Sequence, residues 1–135
     1  MGDFNDDPNN HSFKKVLKTV SNITSDSIGT LLYNPMEKLY NKGYGSLAYR
    51  DQWNLFDQIY FNIRLLHPEK QGYRYWKAGI FNPSFLITSS GPYKGYPYRT
   101  YSGGEYSGGY SDHFPVYLFL IKPQKKRHPE DALDH

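Results

Sequence analysis

The chain has no cysteine among its 135 residues. This absence excludes a disulfide framework, a thiolate zinc site and a cysteine nucleophile. The sequence also lacks any apolar run approaching the roughly 20 residues that a membrane-spanning helix needs. Its five histidines show neither the H-x₃-H nor the H-E-x-x-H spacing, so they do not indicate a zinc site.

The charge balance is nearly even, with 16 Lys+Arg against 13 Asp+Glu and a formal net charge of +3. Nucleic-acid-binding proteins usually concentrate basic residues in a stripe or patch. Here the one basic cluster, 122–127, begins a polar C-terminal segment. We therefore expect a polar, disordered tail over residues 122–135 and one folded unit over residues 1–121.

Hydrophobic periodicity predicts a mixed α/β fold. Four apolar residues with helical spacing predict a short amphipathic helix: Phe13, Val16, Leu17 and Val20. Asn34–Pro35 predicts the start of a second helix, which has Met36, Leu39 and Tyr40 on one face. The second half of the chain alternates like strands over 53–61, 73–81 and 113–121. The last of these is apolar on both faces, which predicts a strand inside a covered sheet.

Residues 91–110 form a segment rich in Gly and Tyr, and we predict a long loop there. Tyrosine is the most frequent aromatic residue of the chain, with 14 in all, and it is concentrated in this segment. Two interpretations stay open at this stage. The tyrosines form a contact surface for a ligand, or they pack the loop onto its own domain.

Near the start of the chain, Asp3, Asn5 and Asp7 follow the D-x-N-x-D spacing of a calcium loop. The spacing then fails, because Pro8 stands where Gly is required and Lys14 stands where Glu is required. An EF-hand is therefore excluded. A strand end that presents a carboxylate and an amide suits work on a phosphate and its attacking water. The alternative is a turn that caps the helix after it.

Asp57 lies on the apolar side of its predicted strand, between Leu55 and Ile59. A buried carboxylate without a partner costs several kcal/mol. We predict that Asp57 accepts the ring N–H of His113, which fixes the tautomer of the imidazole. The alternative partner is a nearby backbone group or an arginine. Ser-His-Asp hydrolysis is a further alternative, although no serine has the G-x-S-x-G context.

Three motifs together resemble a known family: Gly2-Asp3-Phe4-Asn5-Asp6-x-Pro8, Asp57-Gln58-Ile59 and Ser111-Asp112-His113-Phe114-Pro115-Val116. In order and spacing they look like the C-terminal half of the endonuclease/exonuclease/phosphatase family. The resemblance extends from Gly2 to about Ile121. It implies an α/β fold that is one half of a four-layer αββα sandwich, a mostly antiparallel sheet with helices on one face.

The resemblance implies a phosphoesterase that depends on Mg²⁺, or on Mn²⁺, and hydrolyses phosphodiesters or phosphomonoesters. Asp3 would position or deprotonate the attacking water, and Asn5 would hold a phosphate oxygen. His113, oriented by Asp57, would neutralise charge on the phosphoryl group. Asp112 would help to bind the metal, directly or through water. The chemistry agrees with these roles, because in-line phosphoryl transfer depends on positioning and charge stabilisation.

The resemblance also implies candidates for substrate binding. The stretch Pro97-x-Arg99-Thr100-Tyr101 looks like a bacterial subgroup of the family, and Trp53, Arg99 and Tyr101 are the implied substrate-binding residues. Nucleic acid, a lipid head group and a sugar phosphate all fit the same reaction, because loops set the specificity. The alternative function is a non-catalytic module that binds sugars or nucleic acid through loop 91–110.

Members of the family are longer than this chain. We therefore expect residues 1–121 to be the C-terminal half of the domain, with the N-terminal half as a missing partner. On this interpretation the piece alone is inactive. The sheet face that would pack on the missing half would be a bare apolar patch, so we expect self-association, partial disorder or a rearranged strand order.

Overall fold

A computed structural model of the chain describes residues 1–22, 31–67 and 72–122. Within these ranges the protein is mixed α/β, with short and mostly antiparallel strands and few helical segments, which confirms the predicted class. The layering of a sandwich stays a prediction. Residues 123–135, most of the predicted tail, lie outside the described residues. In the described part, no helix has the length and apolar character needed to cross a membrane.

The strands are short and pair two by two. In chain order they are β1 (Gly2–Asp3), β2 (Leu32–Tyr33), β3 (Leu47–Tyr49), β4 (Gln52–Asn54), β5 (Asp57–Gln58), β6 (Phe61–Asn62), β7 (Arg74–Ile80), β8 (Tyr101–Ser102), β9 (Glu105–Tyr106) and β10 (Val116–Ile121). The antiparallel pairs are β1 with β5, β2 with β6, β3 with β4, β7 with β10, and β8 with β9. The helical segments are a π-helical turn (Ser12–Val16), the helix α1 (Met36–Tyr40) and two 3₁₀ turns (Ile63–Leu66 and Ser84–Leu86).

The first predicted helix is only a π-helical turn, so the prediction of its extent is wrong. Phe13 is buried against the rings of Phe4 and Tyr60, but Val16 is 69% exposed. Lys18 has a φ of 53°, which turns the chain out of helical geometry. A short helix is stable only when its apolar face is packed, and here one residue of the predicted stripe is buried.

The second predicted helix is present as α1. Pro35 has a φ of −68° and precedes the helix, and the Asn34 side-chain oxygen accepts the backbone N–H of Met36 at 3.0 Å. This contact satisfies one of the free N–H groups at the helix start. Met36 is fully buried and packs with Leu55 and Ile59 in the core.

The predicted strand over 53–61 is divided into β4, β5 and β6. Its apolar alternation is correct, since Leu55 and Ile59 are 0% and 9% exposed. It is not one strand because each part pairs with a different partner: β4 with β3, β5 with β1, and β6 with β2. Local periodicity reports which side chains are buried, but it does not report where the hydrogen-bonding partner changes.

The two remaining predicted strands are present as β7 and β10. Their core-facing side, which includes Ala78 and Val116, packs against the Met36–Leu55–Ile59 cluster. On the other side Trp76 and Phe119 are 57% and 47% exposed. The prediction that the last strand is covered on both faces is therefore wrong for the residues described. The sequence does not reveal which face of β10 is exposed, because both faces carry apolar residues.

A buried chain of amide groups connects three parts of the fold. Asn34 and Gln58 are both 0% exposed. The Asn34 amide N–H donates to Gln58 Oε1 at 2.7 Å, and Gln58 Nε2 donates to the backbone carbonyl of Asp6 at 2.6 Å. These bonds join the start of α1, strand β5 and the loop after β1. Nearby, Asp7 Oδ1 accepts the backbone N–H of Leu55 at 2.7 Å.

Replacing Gln58 by leucine tests this amide chain. Gln58→Leu leaves the Asn34 amide and the Asp6 carbonyl without their partner, so we expect a loss of about 2–4 kcal/mol in the free energy of unfolding. Urea denaturation measures it. The matched control is Gln52→Leu at an exposed position in β4, which we expect to change stability by less than about 0.5 kcal/mol. Equal stability of the two variants would contradict the proposed role of Gln58.

Candidate active site

Asp57 and His113 form a close pair. The ring Nδ1 of His113 lies 2.7 Å from Asp57 Oδ2, and their side chains are 22% and 20% exposed. The contact expected from the alternation around Asp57 is therefore present in the structure. An ionised carboxylate can only accept a hydrogen bond, so Nδ1 donates and Nε2 is the ring nitrogen left for a ligand.

Local hydrogen bonds hold His113 in place. The Ser111 hydroxyl accepts the backbone N–H of His113 at 3.1 Å, which forms a tight turn just before the imidazole. The next residue, Phe114, is 2% exposed, and its N–H donates to the carbonyl of Ser46 at 2.7 Å. The side chain of His113 is thus carried by a segment that is fixed on both sides.

The pairing of β1 with β5 brings a second carboxylate to the pair. Asp3 is directly opposite Asp57 in this register, so the two side chains lie on the same face of the ladder. Asn5 follows with a φ of 51°, and its backbone N–H donates to Asp3 Oδ1 at 2.9 Å. The structure therefore places Asp3 opposite Asp57 on one face of the ladder, with Asn5 at the turn beside Asp3.

The loop after Asn5 is held by its own carboxylate. Asp6 accepts hydrogen bonds from the Ser12 hydroxyl at 2.6 Å and from the Asn10 amide at 2.7 Å. These bonds, that of Ser12 first, hold the pKa of the Asp6 carboxyl below its usual value. Asp6 thus supports the turn that leads into the π-helical segment. The motif therefore contains both expected features: the turn before the helical segment, and a strand end that presents the carboxylate of Asp3.

A cavity of about 220 Å³ opens beside the pair. Asp57 and His113 line it together with a mainly apolar set: Leu86, Tyr110, Ser111, Phe114 and Pro115. Electrostatic interactions are stronger in a partly apolar cavity than in open water, and a positive charge on the ring side of the pair would favour an anion there. The cavity is therefore a suitable place for a group on which negative charge develops.

The described residues do not form a metal site by themselves. Across residues 1–22, 31–67 and 72–122, no group of three or more His, Asp or Glu side chains converges on one point. Asp112, the predicted ligand, is exposed beside His113. Its carboxylate is a suitable donor for Mg²⁺ or Mn²⁺, but one carboxylate does not make a stable site. The role of Asp112 stays a prediction.

Trp53, Arg99 and Tyr101 lie away from the lining of this cavity. Trp53 stacks on Phe114 with ring centroids 6.2 Å apart and an angle of 14° between the planes. Arg99 and Tyr101 line a second cavity of about 730 Å³. The structure therefore does not bring these three residues to the Asp57–His113 pair, and their binding of substrate stays a prediction.

Ser46 is a positioning residue that the sequence analysis missed. It is 0% exposed, its carbonyl accepts the Phe114 N–H, and its hydroxyl lies 3.4 Å from the backbone N of Asp57. Gly45 permits the segment before β3 to lie close to β4, because a Cβ there would lie 2.7 Å from the Asn54 carbonyl oxygen. The only sequence signal was the Gly-Ser pair ahead of a strand. The partners of Ser46 and Ser111 are backbone N–H groups, which does not favour Ser-His-Asp hydrolysis.

The second cavity is closed on one side by the hairpin of β3 and β4. Its two turn residues, Arg50 and Asp51, have φ values of 50° and 63°, as a tight two-residue hairpin requires. The Tyr96 hydroxyl accepts the Asp51 N–H at 2.8 Å and donates to Asp51 Oδ1 at 2.5 Å. The hydrogen bond to this carboxylate raises the pKa of Tyr96 above its usual value.

A carboxylate–imidazole pair at the wall of a cavity, with a second carboxylate opposite Asp57 in the strand ladder, defines a candidate hydrolase that uses acid–base and electrostatic chemistry. The sequence matches the family model described as "Endonuclease/Exonuclease/phosphatase family" over residues 1–122. The chain belongs to this family, whose members are generally hydrolases of phosphodiester or phosphate bonds and generally depend on a divalent metal. No curated protein and no solved structure matches the chain with significant similarity.

The hydrogen bond between Asp57 and His113 can be tested by the tautomer of the imidazole. We expect the neutral ring of the wild type to carry its proton on Nδ1, because the carboxylate can only accept. In Asp57→Asn the amide presents a donor as well as an acceptor, so the two tautomers should mix. Long-range ¹H–¹⁵N NMR of the ring nitrogens measures this, with the exposed His67 as the internal control. An unchanged His113 pattern would contradict the assigned hydrogen bond.

The contact between Tyr96 and Asp51 predicts a pH effect on stability. Because the folded pKa of Tyr96 is raised, the contact contributes fully below the usual tyrosine pKa of about 10. This contribution is lost as the pH rises through the raised value. We therefore expect the melting temperature of the wild type to fall more steeply than that of Tyr96→Phe above about pH 10. Tyr44→Phe, at an exposed tyrosine outside the cavity, should fall as steeply as the wild type. Parallel curves for Tyr96→Phe and wild type would contradict the effect.

Proposed function

We propose that the protein hydrolyses a phosphate ester and that the Asp57–His113 pair acts on the phosphoryl group. The observation that carries this proposal is the 2.7 Å contact of the pair at the wall of a cavity. Membership of a family of phosphoester hydrolases supports the same reaction class. Both phosphodiesters and phosphomonoesters stay open as substrates.

The role of His113 follows from its protonated form. When the imidazole gains a proton at Nε2, Asp57 stabilises the resulting positive charge through Nδ1. A fixed imidazolium next to a phosphoryl group neutralises the charge that develops on its oxygens in the transition state. Because Asp57 holds the ring already oriented, little rearrangement is needed during the reaction.

Asp3 is proposed to act on the attacking water. Asn5 engages Asp3 Oδ1 through its backbone N–H, which leaves the other carboxylate oxygen available for that water. The water oxygen forms the new bond to phosphorus, the bond to the leaving oxygen breaks, and Asp3 positions or deprotonates the water. The Asn5 side-chain amide is proposed to hold a phosphate oxygen, since it can donate two hydrogen bonds.

The proposed metal is Mg²⁺ or Mn²⁺, with Asp112 as one carboxylate ligand. The donor set of the described residues does not complete such a site, so the steps above are assigned to protein groups alone. The substrate class is a proposal at the level of the reaction. Nucleic acid, a lipid head group and a sugar phosphate all present the same phosphoryl group to the pair.

The test is turnover of bis(p-nitrophenyl) phosphate and of p-nitrophenyl phosphate, each with added Mg²⁺ or Mn²⁺. We expect His113→Ala to lower kcat by about 100-fold or more, which is typical for loss of an acid–base group. The matched control is His67→Ala, at an exposed histidine outside the cavity, and it should retain wild-type turnover. Circular dichroism checks that each variant is folded.

Two results would overturn the proposal. Unchanged turnover in folded His113→Ala would remove the role of the pair. Absence of turnover of both esters in the wild type, with either metal ion, would remove the proposed reaction for this chain by itself, and it is the outcome expected if residues 1–121 are an inactive half-domain.

A further inference from the structure

The second cavity, which we call the tyrosine cleft, lies between the β3–β4 hairpin and residues 88–107, which include the β8–β9 hairpin. We propose that the tyrosine cleft binds a small ligand that combines a ring able to stack on tyrosine, either a base or a sugar, with a phosphate group. The residues that carry the proposal are Tyr49, Arg50, Tyr93, Arg99 and Tyr101. The proposal stands apart from the Asp57–His113 pair and does not depend on catalysis by it.

The size and position of the tyrosine cleft suit a ligand site. Its volume is about 730 Å³, which is in the range of small-molecule sites, roughly 300–1,000 Å³. It shares no lining residue with the cavity of the Asp57–His113 pair. The two cavities are therefore separate, and a ligand in one does not occupy the other.

Aromatic rings in the cleft are exposed to solvent. Tyr49, Tyr93 and Tyr101 are 60%, 56% and 62% exposed. A flat ring that stacks on such a tyrosine buries apolar area on both partners, and this stacking tolerates many ring types. Three exposed rings around one concave surface therefore favour a ligand whose ring presents a broad face, such as a base or a sugar.

The charge of the cleft favours one anionic group. Two arginines, Arg50 and Arg99, line it, and the guanidinium of Arg50 lies 5.2 Å from the centre of the Tyr49 ring. Asp51 is the only carboxylate among the lining residues, and it is engaged by the Tyr96 hydroxyl. The guanidinium fork matches phosphate oxygens in geometry and charge.

Backbone contacts hold the cleft in a defined shape. The Ser107 hydroxyl donates to the Arg99 carbonyl at 2.5 Å, and the Gly109 N–H donates to the same carbonyl at 3.1 Å. The Tyr98 hydroxyl donates to the Ser107 carbonyl. A Cβ at Gly109 would collide with the backbone of Tyr98 and Arg99, so this packing requires glycine. Ordering a preformed loop costs little on binding, which favours a real affinity.

The charges favour a small ligand over a polymer. A nucleic-acid surface carries many phosphates and is bound by an extended basic stripe. The cleft offers two arginines, and the whole chain has a formal net charge of only +3. A ligand with one ring and one phosphate matches the two arginines and the exposed tyrosines of the cleft. A nucleotide and a sugar phosphate are the two sources of this chemistry.

The test is isothermal titration calorimetry of the full chain with adenosine 5′-monophosphate and with glucose 6-phosphate, in EDTA to suppress metal-dependent hydrolysis. Adenosine, glucose and inorganic phosphate are the single-feature comparisons. We expect at least one ring phosphate to bind about tenfold or more tightly than its unphosphorylated ring and than phosphate alone. Comparing the two ring phosphates distinguishes the sources. If neither exceeds its single-feature comparisons, the proposal is overturned.

Matched variants separate the ring from the phosphate. Arg99→Gln should weaken the ring phosphate about tenfold and leave the unphosphorylated ring unaffected. Tyr49→Ala should weaken both by about fivefold to 100-fold. Arg64→Gln and Tyr44→Ala, at exposed positions outside the cleft, are the controls and should bind like the wild type. Cleft variants that bind like these controls would overturn the proposal.

Amide NMR shifts locate the ligand and guard against a variant that fails to fold. We expect the shifts caused by the ring phosphate to fall on residues 48–51 and 88–103 of the wild type. Shifts confined to Asp57, His113 and their neighbours would overturn the proposal, because they would place the ligand in the other cavity. Where Tyr49→Ala loses its melting transition, Tyr93→Ala serves as the second ring variant.

Discussion

The arrangement of the site depends on the buried side-chain amide of Gln58. The strands here are mostly two or three residues long, and such short pairs provide few ladder hydrogen bonds of their own. Gln58 accepts from Asn34 and donates to the carbonyl of Asp6, with no exposure to solvent. Because an unpaired amide would be costly there, these bonds hold the loop after Asp3 and the start of α1 against β5.

The same strand serves packing and chemistry because neighbouring residues in a strand point to opposite sides. Gln58 points into the amide chain, while Asp57 reaches His113 at 2.7 Å. The β1–β5 register places Asp3 opposite Asp57, so the buried Gln58 also fixes where the second carboxylate lies. The positions of the Asp3 and Asp57 carboxylates therefore depend on the neutral side chain of Gln58.

The sequence predicted the parts of this arrangement that depend on local pattern. Asn34–Pro35 indicated the start of α1, and the apolar neighbours of Asp57 indicated that it needed a partner. The extent of the helix after Phe13 and the division of 53–61 were not predictable, because they depend on which distant segment offers a packing or pairing partner. Ser46 was missed for the same reason, since its contact with Phe114 joins residues far apart in the chain.

The tyrosines around the tyrosine cleft include residues with two different roles, which amino-acid composition alone cannot distinguish. Tyr96 and Tyr98 hold the loop through hydrogen bonds to Asp51 and Ser107, whereas Tyr93 and Tyr101 leave their rings in solvent. Trp53 lies between the two cavities, stacked on Phe114 and in edge contact with Tyr96. The aromatic residue that the sequence placed at a substrate rim thus packs the segment of His113 against the wall of the cleft. Packing and exposure to solvent are therefore divided among neighbouring aromatic residues of the loop and of β4.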